Sequence, residues 1–141
     1  MKKFVNNVDN MLVESLSGFE NAHNDILKVH LNPNFITRSK PQNSKVALIS
    51  GGGSGHEPLH GGFVGFGMLD AACPGQVFSA PTPDQMEAAA NHVHSNKGIL
   101  FIVKNYSGDI MNFEMGADML DFEHQTIIVN DDVAVENSTF T

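Results

Sequence analysis

The sequence predicts an α/β protein, a layered and mainly parallel sheet with helices on both faces. Three observations carry that reading. Short unbroken apolar runs at Val46 to Ile49 and Ile99 to Val103 have the length and continuity of buried strands, and Thr126 to Val129 is a third short apolar strand. Between them lie segments of helical period, with Met86, Ala89, Ala90 and Val93 on one stripe and Ile110, Phe113, Ala117 and Leu120 on another. Polar clusters at Gly51–His56, Lys104–Asp109 and Asn130–Asp132 each follow a strand. In a parallel sheet these clusters share one rim, and ligands of open α/β sheets bind beyond the carboxyl ends of the strands.

Taken in order, Val5, Val8, Leu12, Leu16 and Phe19 recur at spacings of three and four, which predicts a helix over residues 7–20 with Asn6 or Asn7 as its cap. Residues 23–45 are polar and punctuated by Pro33 and Pro41, with a short strand expected near residues 34–38. After the first buried strand and its glycines, a helical or irregular segment carries the small-residue run 61–67, whose glycines read as close-packing positions without chemistry. Gln76 to Ser79 reads as a short strand. Thr82-Pro83-Asp84-Gln85 is a capping box with proline at the first helical position, a strong helix start. Gly98 ends that helix. On it His92 and His94 are two residues apart, point in different directions and read as solvated.

The segment Gly51-Gly52-Gly53-Ser54-Gly55 reads as a loop whose bare backbone approaches a ligand closely, with His56 as the first side chain of real chemistry after it. Three familiar motifs fail on it. No Lys follows the glycines as a P-loop requires, and the dinucleotide spacing GxGxxG ends on His56 or Pro58 instead of glycine. His56-Glu57-Pro58-Leu59-His60 spells HExxH, but that zinc signature works only inside a helix, and Pro58 opposes one. The position of His56 favours a functional role over a loop histidine satisfied by backbone. Asp109 stands where a helix cap belongs, and on the residues alone capping is the favoured reading. Lys104, at a strand end, reads equally as an exposed lysine or as a charge in the cleft. Asp131 and Asp132 resemble a magnesium site in isolation, yet paired acids at a strand end more often form turns.

The 141 residues suffice for one domain, residues 1–141, with a respectable core. Sixteen acidic against eight basic residues give a formal charge of −8, which argues against nucleic acid or an anionic membrane as partner. Cys73 is alone, so no disulfide framework is expected, and the absence of a long apolar run predicts a reduced, cytoplasmic protein.

SGGGSGHEP, the Gly65 to Gly75 segment, FSAPTPDQ and KNYSGDIMNFE together resemble the N-terminal half of the dihydroxyacetone-binding subunit family of dihydroxyacetone kinases. The resemblance extends in register to the opening MKKFVNNVDNM and the closing NDDVAVENSTFT, and members of that family are more than twice this long. It implies the first domain of a two-domain fold that binds dihydroxyacetone and takes part in phosphoryl transfer to a terminal hydroxyl. By the resemblance Gly53, Ser54, Gly55 and His56 contact the triose, His56 is the general base, Asp109 hydrogen-bonds the attacking hydroxyl, and Lys104 orients the substrate. It implies no metal and no cofactor on this chain, with nucleotide and magnesium on a separate nucleotide-binding subunit that a phosphotransferase-system protein recharges in many bacteria. It further implies a homodimer in full-length form and a covalent substrate-binding histidine beyond Thr141, so that the 141-residue chain alone is expected to be inactive. Two other readings stay open: a non-catalytic triose sensor that keeps the same loop, and a truncated inert fragment.

Overall fold

The structure, a computed structural model, describes residues 3–130. Six strands form one sheet in the order β1-β2-β4-β3-β5-β6. They are β1 Leu27–His30, β2 Phe35–Arg38, β3 Ala47–Ser54, β4 Ala71–Val77, β5 Ile99–Lys104 and β6 His124–Val129. From β4 to β6 the neighbours are parallel, whereas β1 and β2 extend the sheet antiparallel. Three helices accompany them, α1 Met11–His23, α2 Pro83–Val93 and α3 Ser107–Asp118.

Both faces of the sheet are covered, as expected. On one, Ile49, Cys73, Phe101 and Val103 pack against Met86, Ala89 and Ala90 of α2 and Phe113 and Ala117 of α3. On the other, Ile36, Ala72, Leu48 and Ile102 meet Leu16 of α1 and the β3–β4 connection through Val64 and Leu69. The second face is the thinner one. Leu100, Ile102 and Lys104 are only half-buried there, so β5 alternates instead of being buried on both sides. β6 is an edge strand, with Ile127 53% exposed.

The helix starts follow the sequence. The Asn7 side chain accepts from the Asp9 N–H at 3.0 Å and begins the one-turn 3-10 helix that leads into α1. Of the predicted stripe only Leu16 is fully buried, with Leu12 and Phe19 packed against it, while Val5 and Val8 face solvent. At α2 the buried Gln85 accepts from the Thr82 N–H through Oε1 and donates through Nε2 to the carbonyls of Asn34 and Pro74. It thereby ties the helix start to β2 and β4. His92 and His94 are exposed but not free-standing, for His92 lies against the His30 ring and His94 stacks on Phe122 at 3.8 Å.

One expected strand needs correcting, and one observed strand was not expected. The strand placed at residues 76–79 is β4, which runs from Ala71 to Val77. Its apolar signal was hidden in Ala71-Ala72-Cys73, small residues that fit a sheet centre without large hydrophobic weight. β1 had no expectation at all, because Leu27 and Val29 alternate with polar residues over only four positions. A buried carboxylate locks this part of the sheet. Asp70 takes Arg38 Nη1 at 3.3 Å, the Lys45 ammonium and the Leu48 N–H at 2.9 Å, joining the starts of β3 and β4 to β2.

Candidate functional site

β3 is the hinge of the topology. From it the chain steps to β4 on one side and then crosses over to β5 on the other, so the ends of β3 and β5 flank a switch point of the sheet. A cleft of about 640 Å³ opens there, lined by Gly53, His56, Phe78, Lys104, Tyr106 and Asp109 among others. A second, more apolar cleft of about 690 Å³ adjoins it, and His56, Lys104 and Tyr106 line both.

The glycines reach this rim in a way the sequence reading did not foresee. Gly51, Gly52 and Gly53 lie inside β3, paired with Cys73, Pro74 and Gly75 of β4, not in a loop. Of this run only Gly55 has a positive φ, +107°. What the others supply is close approach. A Cβ on Gly51 would fall 2.6 Å from the Cys73 carbonyl oxygen, and one on Gly53 would fall 2.7 Å from the Ser79 nitrogen. Ser54 is also committed to the sheet, donating from its buried hydroxyl to the Gly75 carbonyl at 2.6 Å. The Gly55 N–H donates to the Glu57 carboxylate at 2.9 Å.

Beyond Gly55 the chain passes through turns, and His56 to His60 forms no helix. His56 is exposed, its ring edge-on to Phe78 with centroids 5.2 Å apart. Phe78 itself has φ +51°, a rare conformation for a bulky residue, and its ring lies where a side chain on Gly55 would be. The aromatic therefore braces the Gly55–His56 corner.

Opposite, β5 delivers Lys104 and the first turn of α3 delivers Asp109. The Lys104 ammonium sits 5.3 Å from the centroid of the Tyr106 ring. Asp109 is not the cap of α3. Tyr106 occupies the cap position, and Asp109 is in the first turn, buried at 5% exposure. Burial raises its pKa above the ordinary carboxylate value, while the nearby charges of Lys104 and His56 pull it back down. Those two groups thus act electrostatically on one buried carboxyl facing the cleft. His56, Lys104 and Asp109 converge; Gly53 lines the same cleft, and Ser54 and Gly55 support it from the strand end. Asp131 and Asp132 lie outside the described residues, and among the described residues no three His, Cys, Asp or Glu side chains group as a metal ion would need.

Sequence reasoning passed over His60. Setting aside HExxH removed interest from its second histidine, although five residues of turn bring it under the same site. His60 Nδ1 lies 2.9 Å from the Ser50 hydroxyl. Its pKa is lowered to about 4 by burial first, then by Lys104 and His56. Because the fold favours the neutral ring, its contribution to stability is complete above the unfolded value near 6.5 and is lost as pH falls toward 4. The loss should reach about 2–3 kcal/mol. Asp109 works with the opposite sign, since a raised carboxyl pKa makes stability fall as pH rises above 3.8. Urea midpoints measured from pH 7 to 4.5 should drop more steeply for the wild type than for His60→Phe. Equal slopes would refute the assignment.

This is an α/β domain with an open cleft at the switch point of its sheet. The Dak1 domain matches residues 17–141, and the chain belongs to that family. It is 47% identical over its whole length to the dihydroxyacetone-binding subunit DhaK of the PEP-dependent dihydroxyacetone kinase of Escherichia coli, covering 40% of that protein. The corresponding subunit of the PTS-dependent kinase of Lactococcus lactis is 46% identical over 99% of the chain, which covers 43% of it. The chain thus spans less than half the length of these relatives. Among solved structures, the dihydroxyacetone kinase of C. freundii in complex with AMP-PNP and Mg2+ superposes with a TM-score of 0.88 at 36% identity, over 98% of this chain and 27% of that one. A dihydroxyacetone kinase operon co-activator, Dha-DhaQ, superposes at 0.81 with 32% identity, over 85% of this chain and 38% of the co-activator.

Proposed function

We propose that the chain is the substrate-holding domain of a dihydroxyacetone kinase, presenting a terminal hydroxyl of the triose for phosphoryl transfer. The observation that carries this reading is the convergence of His56, Lys104 and Asp109 in one cleft at the ends of β3 and α3's strand partner β5. An alcohol is a poor nucleophile at neutral pH, so a positioned base is needed as it attacks phosphorus. His56 takes the hydroxyl proton, and its exposed ring at the cleft edge suits a group that must then release that proton. Asp109 accepts a hydrogen bond from the same hydroxyl and orients it. Lys104 donates to a substrate oxygen. Gly53 keeps its stretch of the cleft wall bare enough for a three-carbon ligand to lie against backbone, and Ser54 and Gly55 hold the strand end that presents it.

The phosphoryl group comes from a separate nucleotide-binding subunit, a reading supported by relatives described as PEP- or PTS-dependent. Gly51–Gly53 continue the ladder with β4 instead of curling around a phosphate, in keeping with no nucleotide on this chain. The full-length protein is a homodimer in this reading, and the isolated domain binds without turning over. The likeness to the co-activator favours a second reading, a triose sensor with the same cleft and no transfer.

A calorimetric titration with dihydroxyacetone is the test. Saturable binding that is lost in His56→Ala supports the cleft as the triose site, and absence of binding by folded protein refutes it. Transfer by a protein of the relatives' length that carries this domain, in the presence of a nucleotide-binding partner subunit, then separates kinase from sensor.

A further inference from the structure

Ser50 fixes the proton on His60. Its hydroxyl donates to the Ile102 carbonyl at 2.6 Å, and a carbonyl oxygen can only accept. The hydroxyl has no second proton for the imidazole, so His60 Nδ1, 2.9 Å away, must be the donor to Ser50 Oγ. The ring is therefore the Nδ1–H tautomer, and Nε2 carries a bare lone pair. That nitrogen is buried and, among the described residues, has no hydrogen-bond partner. Buried acceptors without partners are uncommon and call for an explanation.

The explanation lies across Gly52. A Cβ built there would sit 2.9 Å from His60 Nε2 and 3.1 Å from Lys104 Nζ. Both nitrogens crowd one point on the cleft floor that only glycine leaves open. One is an acceptor without a donor. The other is an ammonium with three N–H groups, otherwise lying over the Tyr106 ring.

We propose that His60 is a positioning residue for Lys104, its Nε2 lone pair accepting one ammonium N–H so that the remaining N–H groups are aimed at a substrate oxygen. The contact is not made in this structure and requires the end of the lysine side chain to turn toward Nε2. The fixed tautomer gives the arrangement its direction. A ring flipped to Nε2–H would point a donor at the ammonium and push it away. The lowered pKa of His60 agrees, because a protonated ring beside Lys104 would place two cations at one spot. Gly52 then has a defined purpose, to let the pair meet, and Ser50 acts on the cleft from one layer below. The inference rests on the substrate role proposed above for Lys104.

Two measurements test it, and the first needs no substrate. In 15N-histidine-labelled protein, the His60 ring nitrogens should report the Nδ1–H tautomer with an unprotonated Nε2, and Lys104→Met should shift the Nε2 resonance. A protonated Nε2, or a resonance indifferent to Lys104→Met, overturns the pairing. The second is a double-mutant cycle on dihydroxyacetone affinity. His60→Phe should weaken binding about 10-fold, the scale of a lost hydrogen bond to a charged group, and should add no further loss in the Lys104→Met background. Additive losses would mean that His60 acts independently of Lys104, and the proposal would fall. If the wild type does not bind dihydroxyacetone, the functional reading fails, while the nitrogen spectra still decide the pairing.

Discussion

In a protein of the relatives' length that carries this domain, replacing His56 by alanine is expected to slow phosphoryl transfer to dihydroxyacetone by about 10²- to 10⁴-fold, the usual contribution of a positioned general base. The substitution removes the imidazole at the mouth of the cleft while leaving the sheet beneath it intact, because His56 is exposed and its ring touches chiefly Phe78. Stability should therefore change little. Asp109→Asn should also slow transfer, but through lost orientation of the hydroxyl, since an amide is a weaker acceptor in the same space. The two losses should not add fully, because both residues act on one hydroxyl. Steady-state rates with a nucleotide-binding partner subunit provide the check. A His56→Ala protein that retains wild-type turnover would remove the base from the scheme. A wild-type protein that binds triose but never transfers would leave the sensor reading standing.

Gly51→Ala should destabilise the fold by about 3 kcal/mol, at the upper end of what overpacking a well-filled interior costs. Its added methyl would meet the Cys73 carbonyl oxygen at 2.6 Å, the Cys73 Cβ at 3.0 Å and the Phe113 ring at 3.1 Å. The first two belong to the neighbouring strand β4, so relief requires moving backbone in the middle of the sheet. Cys73 and Phe113 are both completely buried, which leaves no side chain free to swing away. The readout is a lower urea midpoint with an unchanged slope, indicating lost stability without a change in surface exposed. Gly18→Ala is the natural control: nothing lies within 4 Å of its Cβ position, so no penalty of this kind is expected. A wild-type midpoint for Gly51→Ala would mean that the β3–β4 approach is looser than described.

The two expectations bear on one question, what the glycine run is for. From the sequence it looked like a loop freed to take positive φ, yet three of its glycines are strand residues and only Gly55 uses that freedom. Residue type cannot distinguish the two uses of glycine. A missing Cβ serves a turn and a tight strand equally, and the difference is set by Cys73, Ser79, Lys104 and His60, none of which is a neighbour in sequence.

What the sequence determined by itself was whatever depends on local periodicity and local chemistry. The buried stripes of α2 and α3, the apolar runs of β3, β5 and β6 and the start at Thr82-Pro83 were all legible, because a 3.6-residue or unbroken apolar pattern leaves few alternatives. So was the prohibition that Pro58 places on a zinc-binding helix. With strands assumed parallel, even the shared rim of His56, Lys104 and Asp109 could be read. Only the tertiary structure decided what depends on partners distant in sequence. It moved Asp109 from a capping position to a buried carboxyl in the first turn of α3, found β1 and the true extent of β4, and braced His56 with Phe78. It also set His60 Nδ1 against a serine ten residues before it, whose hydroxyl donates to a carbonyl on another strand. Tautomers, burial-driven pKa shifts and clefts are properties of what surrounds a side chain, and a chain acquires surroundings only when it folds.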